Sequence, residues 1–230
     1  MRSSDLRRER ENRRRADYRE VILHAAERVI LRKGLSAATM DDIAREVQLS
    51  KATIYKYVPG KGVLLFEILS HYFDDLRDKM EAIASEPGTA GERLTSAIRM
   101  ALRESESKQS LTKVLWMDKS VLKLLRIFAA AAGKAAAAST ADRKRLGQLL
   151  EKRKALNSVA ERIFRDGVAS GEFRPMDTRQ AVEFLEAVVE GYAHLRFWES
   201  GHPASADAGD ELARFVLAGV RNPERTEKEN

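Results

Sequence analysis

The chain of 230 residues has no cysteine, only five prolines and few aromatic residues, which make up 7% of it. The lack of cysteine excludes a disulfide framework, a cysteine zinc site and thiol chemistry, and it is compatible with a reducing compartment. No apolar run approaches the roughly 20 residues of a membrane span, and the Arg-rich start lacks the apolar segment of a signal peptide. We therefore expect a soluble cytoplasmic protein with no membrane partner.

Patterns of catalytic residues are also scarce. The four histidines are dispersed, with no His-x-x-x-His pair and no glycine-rich phosphate loop. Glu186, Glu190 and His194 follow one another at intervals of four, so they share a helix face. This face could hold a metal, but a solvated face or an interface hydrogen bond is the commoner arrangement. We expect neither an enzyme nor a metal or cofactor site.

The positive charge is concentrated at one end of the chain. The net charge is +6; residues 1–65 contain 15 Lys and Arg against nine Asp and Glu, whereas residues 66–230 contain 26 of each. A solvated charged face is the ordinary interpretation of such a run. Because the entire excess lies in the first part, that part is better explained as a surface for phosphate groups.

Helical periodicity runs through the whole sequence, and no alternating strand pattern occurs. Val21, Ile22, Ala25, Ala26, Val29 and Ile30 form one apolar stripe, which Gly34 ends as a C-cap. A long helix is predicted from Lys61 to Ser85, and another from Asp142 to Ser170. The sequence therefore predicts an all-α fold.

Residues 39–58 predict two short helices joined by a tight turn. Thr39 is a good N-cap with Asp42 three residues later, and Ser50 caps the second helix. Ile54 and Val58 share the inward face of that second helix. It is too short and too lightly apolar to be stable alone, so it must pack on its neighbours. This is the geometry of a helix-turn-helix whose second helix enters a DNA major groove.

At these residues the sequence resembles the tetracycline-repressor-type (TetR) family of transcriptional regulators. The resemblance covers roughly residues 18–69, and the residues in register are Ala25, Ala26, Thr39, Ile43, Ala44, Ser50, Thr53, Ile54, Tyr55, Lys61 and Leu64. Five positions depart from the family pattern. Gln48 stands for Gly, Tyr57 for His and Val58 for Phe, and Gly60 and Gly62 flank Lys61, where the family more often has polar and acidic residues. A residue with a Cβ at position 48 occupies a turn that glycine suits better.

Composition and resemblance together predict four segments. Residues 1–17 form a polar, Arg-rich arm that we expect to be disordered, either as a solubilising tail or as an arm in the minor groove. Residues 18–64 form a three-helix DNA-binding domain, and residues 65–221 a larger helical domain for effector binding and dimerisation. Residues 222–230 form a polar tail.

The outer face of the second short helix is where we expect DNA bases to be read. Ala52 and Lys56 point most directly away from Ile54, so they should reach furthest into the groove. A lysine there can donate to guanine O6 and N7, and an alanine methyl can pack on a thymine methyl.

Phosphate contacts are expected at the edges of this face. Lys51, Tyr55 and Lys61 lie there or at the next helix start, and the resemblance implies that they bind phosphates; Thr53 and Tyr57 could contact either group. The complete predicted DNA-contact set is Thr39, Lys51, Ala52, Thr53, Tyr55, Lys56, Tyr57 and Lys61.

Aromatic and methionine side chains in the distal helices are the candidates for an effector pocket. Most residues of these types are plain core, but the resemblance implies a small-molecule effector among these helices. The residues assigned to it are Trp116, Met117, Phe128, Phe164, Phe184 and Tyr192. With few buried-looking charges nearby, an apolar or aromatic effector fits best. The resemblance implies a repressor that the effector releases; the alternative is a DNA-binding structural or interaction protein with no effector.

The last two predicted helices, at about 178–199 and 207–220, are apolar on two sides. Such a helix must be buried on two sides. Gly191 and Gly219 would allow close approach of helices, so the two can pair with their symmetry mates in a four-helix contact. The resemblance implies the same homodimer.

Overall fold

The computed structural model describes residues 3–34, 37–107, 140–198 and 207–223, and these ranges are built from helices. The helices are α1 (Ser3–Lys33), α2 (Met40–Glu46), α3 (Lys51–Tyr57), α4 (Lys61–Ala84), α5 (Ala90–Ser107), α6 (Thr140–Ala169), α7 (Thr178–Trp198) and α8 (Ala208–Val220). In these ranges the only extended pairing is an isolated antiparallel bridge between Phe173 and Arg221. The all-α prediction is confirmed.

The described chain divides into two compact units. The first comprises residues 3–34, 37–72 and 140–149, and the second comprises residues 73–107, 150–198 and 207–223. The sequence placed a boundary after residue 64. The first unit continues to Tyr72 because Leu65, Ile68 and Leu69 of α4 are buried in its core. None of the helices described here is both long and apolar enough to cross a membrane.

The core of the first unit is made by α1 to α4. Ile22, Ala25, Ala26 and Val29 of α1 are completely buried, and the two alanines let the neighbouring helices come close. Val21, which we included in this stripe, is instead 53% exposed. It lies about 100° around the helix from Ile22, beyond the edge of the buried face.

Helix α1 begins at Ser3, so most of the arm for which we expected disorder is helical in the structure. The side chains of residues 8–17 are exposed, so tertiary packing does not hold them in this form. Local preference supplies the reason: Arg and Glu are good helix formers. Glu9 and Glu11 each precede an arginine by four residues, the spacing and order that stabilise a helix. The extension also continues a helix that the core has already nucleated.

The second unit has its own core, to which α4 contributes Met80, Ile83 and Ala84 together with residues of α5 to α8. At its centre the ring of Phe164 lies 5.9 Å from that of Phe173, and both are 1% exposed. The Phe173 ring fits against Gly167, where a Cβ would lie 2.2 Å from it. Glycine at 167 is therefore a packing requirement.

The connection between α6 and α7 holds two other helices in place. The Glu172 carboxylate accepts hydrogen bonds from the backbone N–H groups of Ala90 and Gly91, at 2.8 and 2.9 Å, and so caps α5 from a distance. The same connection is tied to the end of α8, because the Arg174 N–H donates to the Val220 carbonyl and the Asn222 N–H donates to the Glu172 carbonyl. One short connection thus fixes the start of α5 and the end of α8.

Candidate nucleic-acid interface

Helix α2 begins with a complete capping box. The Asp42 N–H donates to Thr39 Oγ1 at 3.1 Å, and the Thr39 N–H donates to Asp42 Oδ2 at 3.1 Å. Two otherwise unpaired backbone donors are thereby satisfied, as the sequence pattern predicted. Thr39, which we also assigned to DNA contact, therefore already uses its hydroxyl in shaping the start of α2.

The turn between α2 and α3 has the hydrogen bonds of a Schellman motif. The Leu49 N–H donates to the Ala44 carbonyl and the Gln48 N–H to the Arg45 carbonyl, at 3.0 and 3.2 Å. Gln48 is in the left-handed region, with φ of 55°. Glycine usually fills this position because a Cβ is strained there.

Gln48→Gly should therefore stabilise the protein. Relief of left-handed strain is worth about 1–2 kcal/mol, whereas the added freedom of the unfolded chain costs about 0.4–1 kcal/mol. We expect the free energy of unfolding in denaturant to rise by roughly 0.5–1 kcal/mol. Gln48→Ala is the control, since it removes the side chain but keeps the Cβ. Equal stabilisation by both variants would show that backbone strain is not the cause.

Asp42 is the centre of a charged network under the helix-turn-helix. Its side chain is 8% exposed and accepts from Lys33 Nζ at 2.7 Å and Arg45 at 2.6 Å, as well as from Thr39. The hydrogen bond from Lys33, followed by that from Thr39, lowers the pKa of Asp42 to about 2. The carboxylate thus joins the end of α1 to the start of α2 in its ionised form.

This network predicts an acid-dependent stability. Because the folded pKa of Asp42 lies below its ordinary value of 3.8, the contribution of Asp42 is fully present above about pH 4 and is lost as the pH falls toward 2. Other carboxylates titrate in the same range, so the measurement is the difference in unfolding free energy between the wild type and Asp42→Asn. The difference in unfolding free energy between the two proteins should shrink as the pH is lowered from about 5 to about 2. A constant difference would contradict the role given to the ionised carboxylate.

Helix α3 is anchored on one side and open on the other. Ile54 and Val58 are completely buried, while the Ser50 hydroxyl caps the helix by accepting from the Thr53 N–H at 3.0 Å. The opposite side carries four exposed residues: Lys51, Ala52, Tyr55 and Lys56. Thr53 is half-buried, and its hydroxyl lies 2.7 Å from that of Ser50. The structure therefore brings together the face that the sequence assigned to bases and phosphates.

Two of the predicted phosphate ligands have partners within the protein. Lys51 Nζ donates to Asp41 Oδ2 at 2.9 Å, and this hydrogen bond raises the pKa of Lys51. Lys61 Nζ donates to the Ala38 carbonyl at 3.1 Å, so it also holds the segment before α2. Both residues of the Lys51–Asp41 pair are more than half exposed, so the pair contributes little to stability.

Tyr57 lies against α1. Its ring stacks on that of Tyr18, with the ring centres 5.1 Å apart and the planes inclined by 18°. The Arg14 guanidinium lies 5.8 Å from the centre of the Tyr18 ring, and Arg15 donates to the Lys56 carbonyl at 3.4 Å. Sequence reasoning missed the role of Tyr18; an isolated aromatic residue at the edge of an Arg-rich segment was the available signal.

The residues assigned to an effector pocket do not share one environment in the structure. Trp116, Met117 and Phe128 lie outside the described residues. Phe164 belongs to the core of the second unit, Phe184 is 62% exposed, and the half-buried Tyr192 accepts a hydrogen bond from Arg196 at 3.3 Å. The pocket assignment stays a prediction.

The Glu186–Glu190–His194 face lies on α7. Glu186 accepts from Arg153 of α6 at 3.1 Å, and burial raises the pKa of Glu190. Across the parts of the chain that the structure describes, no group of three or more His, Asp or Glu side chains is arranged to hold a metal. For Glu186, then, the structure provides an arginine partner.

An apolar stripe is exposed on the last two helices. Phe184, Gly191 and Leu195 follow one line along α7, and the two large residues are each 62% exposed. On α8, Phe215 is 70% exposed next to the open Gly219. Exposed apolar residues aligned in this way are typical of a protein interface.

Comparison with known proteins finds matches to the segment that contains the helix-turn-helix. Residues 22–68 match the family model of bacterial regulatory proteins, tetR family. The chain is similar to the HTH-type transcriptional repressor KstR2 of Mycolicibacterium smegmatis, with 23% identity over 207 residues that cover 89% of this chain and 91% of the relative.

Solved structures show the same fold. A TetR/AcrR-family regulator from Thermobifida fusca is 22% identical and has a TM-score of 0.65, covering 88% of this chain and 98% of its own. FadR from Bacillus subtilis in complex with stearoyl-CoA is 18% identical and has a TM-score of 0.66, covering 88% of this chain and 99% of its own. The matched segment contains the whole helix-turn-helix. Residues 22–68 thus match the DNA-binding segment of the tetR family of bacterial regulatory proteins, and the comparisons support a DNA-binding transcriptional regulator.

Proposed function

We propose that the protein is a homodimeric repressor that reads its operator with α3 and is released by a small hydrophobic molecule. The exposed face of α3 is the observation that carries this proposal. Lys51, Ala52, Tyr55 and Lys56 are displayed on a helix whose other side is fixed in a core. All the excess positive charge of the chain lies within residues 1–65, the segment that contains that face.

The proposed division of labour on α3 follows from direction and exposure. Lys56 and Ala52 lie opposite the buried Ile54 and reach the base edges, whereas Lys51 and Tyr55 lie beside them and bind phosphates. A half-site read by a helix of only seven residues gives weak discrimination, so two copies of α3 are needed for a specific site.

The proposed dimer uses the exposed stripe of α7 and α8. Phe184 and Leu195 on α7 and Phe215 on α8 are exposed apolar residues, and Gly191 and Gly219 lack side chains that would keep a second copy at a distance. A stripe paired with itself across a two-fold axis buries these residues from both copies. The symmetry then requires a site of roughly palindromic sequence.

The proposed effector is hydrophobic, and a long acyl chain is the first class to test. The support is indirect: FadR of Bacillus subtilis, which shares the fold, is described in complex with stearoyl-CoA. By linkage, an effector that favours a conformation with poor operator affinity must itself bind the operator complex more weakly by the same factor. Helix α4 contributes residues to both compact units, so we propose that it connects effector binding to DNA binding.

The effector prediction is tested by measuring operator affinity with and without ligand. Stearoyl-CoA should lower the affinity by roughly 5–150-fold, the range of ordinary allosteric coupling. Free coenzyme A is the matched control, because it keeps the nucleotide and lacks the acyl chain. An organic extract of cells serves as a second, unbiased source of hydrophobic ligands. If neither stearoyl-CoA nor the extract changes the affinity, the effector-independent alternative holds.

A further inference from the structure

Helix α1 extends well beyond the core that it helps to build. The part before Tyr18, residues 3–17, adds about 22 Å of helix at 1.5 Å per residue. The side chains of residues 8–17 are exposed, and none belongs to the core of the first unit. Because the side chains of residues 8–17 are not used in the core, they are available to contact a partner outside the fold.

Charge is distributed unequally around this extension. At about 100° per residue, Arg8, Arg10, Arg14 and Arg15 all lie within about 80° of the direction of Tyr18. Within residues 8–17, Glu11 is the one acidic residue on that side. Glu9 and Asp17 lie on the other side, together with Arg13. Residues 8–17 therefore have a basic face with a net charge of +3 and an opposite face with a net charge of −1.

The basic face is on the same side as the contacts with the recognition helix α3. Tyr18 stacks on Tyr57, the last residue of α3, and Arg14 lies over the Tyr18 ring. Arg15 donates to the carbonyl of Lys56, where the negative end of the helix dipole favours a cation. These three contacts fix the orientation of the extension relative to α3.

We infer that the basic face of the α1 extension is a second DNA-contact surface, which binds backbone phosphates next to the half-site that α3 reads. Tyr57 is then a positioning residue: its ring packs on Tyr18 and orients the arginines. This inference rests on the proposed DNA binding by α3. The inferred surface is a helix that contacts phosphates, whereas from the sequence we expected a disordered arm, either as a solubilising tail or in the minor groove. Tyr57, which we assigned from the sequence to direct DNA contact, instead orients the arginines of this helix.

Phosphate binding by one face predicts a difference between two arginines of equal charge. Arg8→Gln removes a contact on the basic face, about 140° around the helix from Arg13, so each copy in the dimer loses one phosphate. The slope of log affinity against log salt should become shallower by about 1.8. Arg13→Gln removes the same charge from the other face and should change the slope by less than half as much. If the two variants shift the slope equally, the extension acts only through its total charge, as a solvated tail, and the inference is wrong.

The positioning role of Tyr57 is tested in the full chain by combining variants. Tyr57→Ala should lower affinity for all DNA sequences alike, on the order of 10-fold, and Tyr57→Phe should restore most of that loss because it keeps the stacked ring. In a chain already carrying Arg8→Gln, Arg10→Gln, Arg14→Gln and Arg15→Gln, Tyr57→Ala should cost less than about twofold.

Other results of this experiment show whether the inference or the proposed function is wrong. An undiminished cost of Tyr57→Ala in the chain that carries the four Arg→Gln substitutions would show that Tyr57 contacts DNA directly and would overturn the inference. Thermal unfolding of each variant shows whether the loss reflects a destabilised α3, which would overturn it as well. Absence of sequence-specific DNA binding by the wild-type chain would instead reject the proposed function on which the inference rests.

Discussion

Phe215→Asp will convert the protein to a monomer and lower its affinity for the operator on the order of 100-fold or more. The side chain is 70% exposed on α8, so the substitution places a charge in the proposed interface without disturbing the core of the second unit. Burying an unpaired carboxylate costs several kcal/mol, more than a modest dimer can tolerate. For a dimer that contacts about six phosphates, the slope of log affinity against log salt should be near −5. A monomer makes half of these contacts, so its slope should be about half as steep.

The location of the interface is tested by a matched substitution elsewhere. Leu150→Asp also places a charge at an exposed apolar residue, 53% exposed, but on α6. Analytical ultracentrifugation should show a dimer for Leu150→Asp and a monomer for Phe215→Asp. Gly191→Leu should also dissociate the dimer, because it adds a bulky side chain where none is present. Dimers that survive both Phe215→Asp and Gly191→Leu would refute the assignment to α7 and α8.

Lys56→Ala will relax the base preference at one position of each half-site. Lys56 is exposed on the side of α3 opposite the buried Ile54, the direction in which a side chain reaches the groove floor. Loss of its bond to a guanine should cost about 1–3 kcal/mol for the preferred sequence and much less for sequences that lack that base. Affinities for a panel of single-base variants of the operator measure the difference.

Lys51→Ala is the comparison for phosphate binding. Lys51 is exposed, and its partner Asp41 is exposed too, so removing it leaves the fold intact. Lys61, also assigned to phosphate, is less suitable because its ammonium group supports the Ala38 carbonyl. Lys51→Ala should weaken all sequences alike and flatten the salt slope. If Lys56→Ala also lowers every affinity equally, its assignment to base reading is wrong.

Local chemistry made much of the first unit predictable. Thr39 with Asp42, and Ser50 before a short apolar pattern, mark helix starts that the structure confirms. Gly34 ends α1 with a positive φ, as its position after the stripe indicated. Helix caps depend on residues only three or four positions apart, so they can be predicted from the sequence alone.

What the sequence did not reveal depends on distant residues. The stacking of Tyr57 on Tyr18 joins positions on two helices, and neither residue alone indicates a partner. The distal cap that Glu172 places on α5 joins residues more than 80 positions apart. Phe164 shows the same difficulty for the site: a large aromatic residue in the distal helices fits a pocket wall and a packed core equally well, and the structure places it in a core.

Selection of binding sites from random duplex DNA by the full-length protein tests the central claim most directly. The account predicts enrichment of a rough palindrome whose half-sites lie about one helical turn, ~34–36 Å, apart or a modest multiple of it. The same selection with Lys56→Ala should lose information at one symmetric pair of positions and keep the half-site spacing. Enrichment of no sequence, or of a single half-site bound by one copy of the chain, would contradict the account.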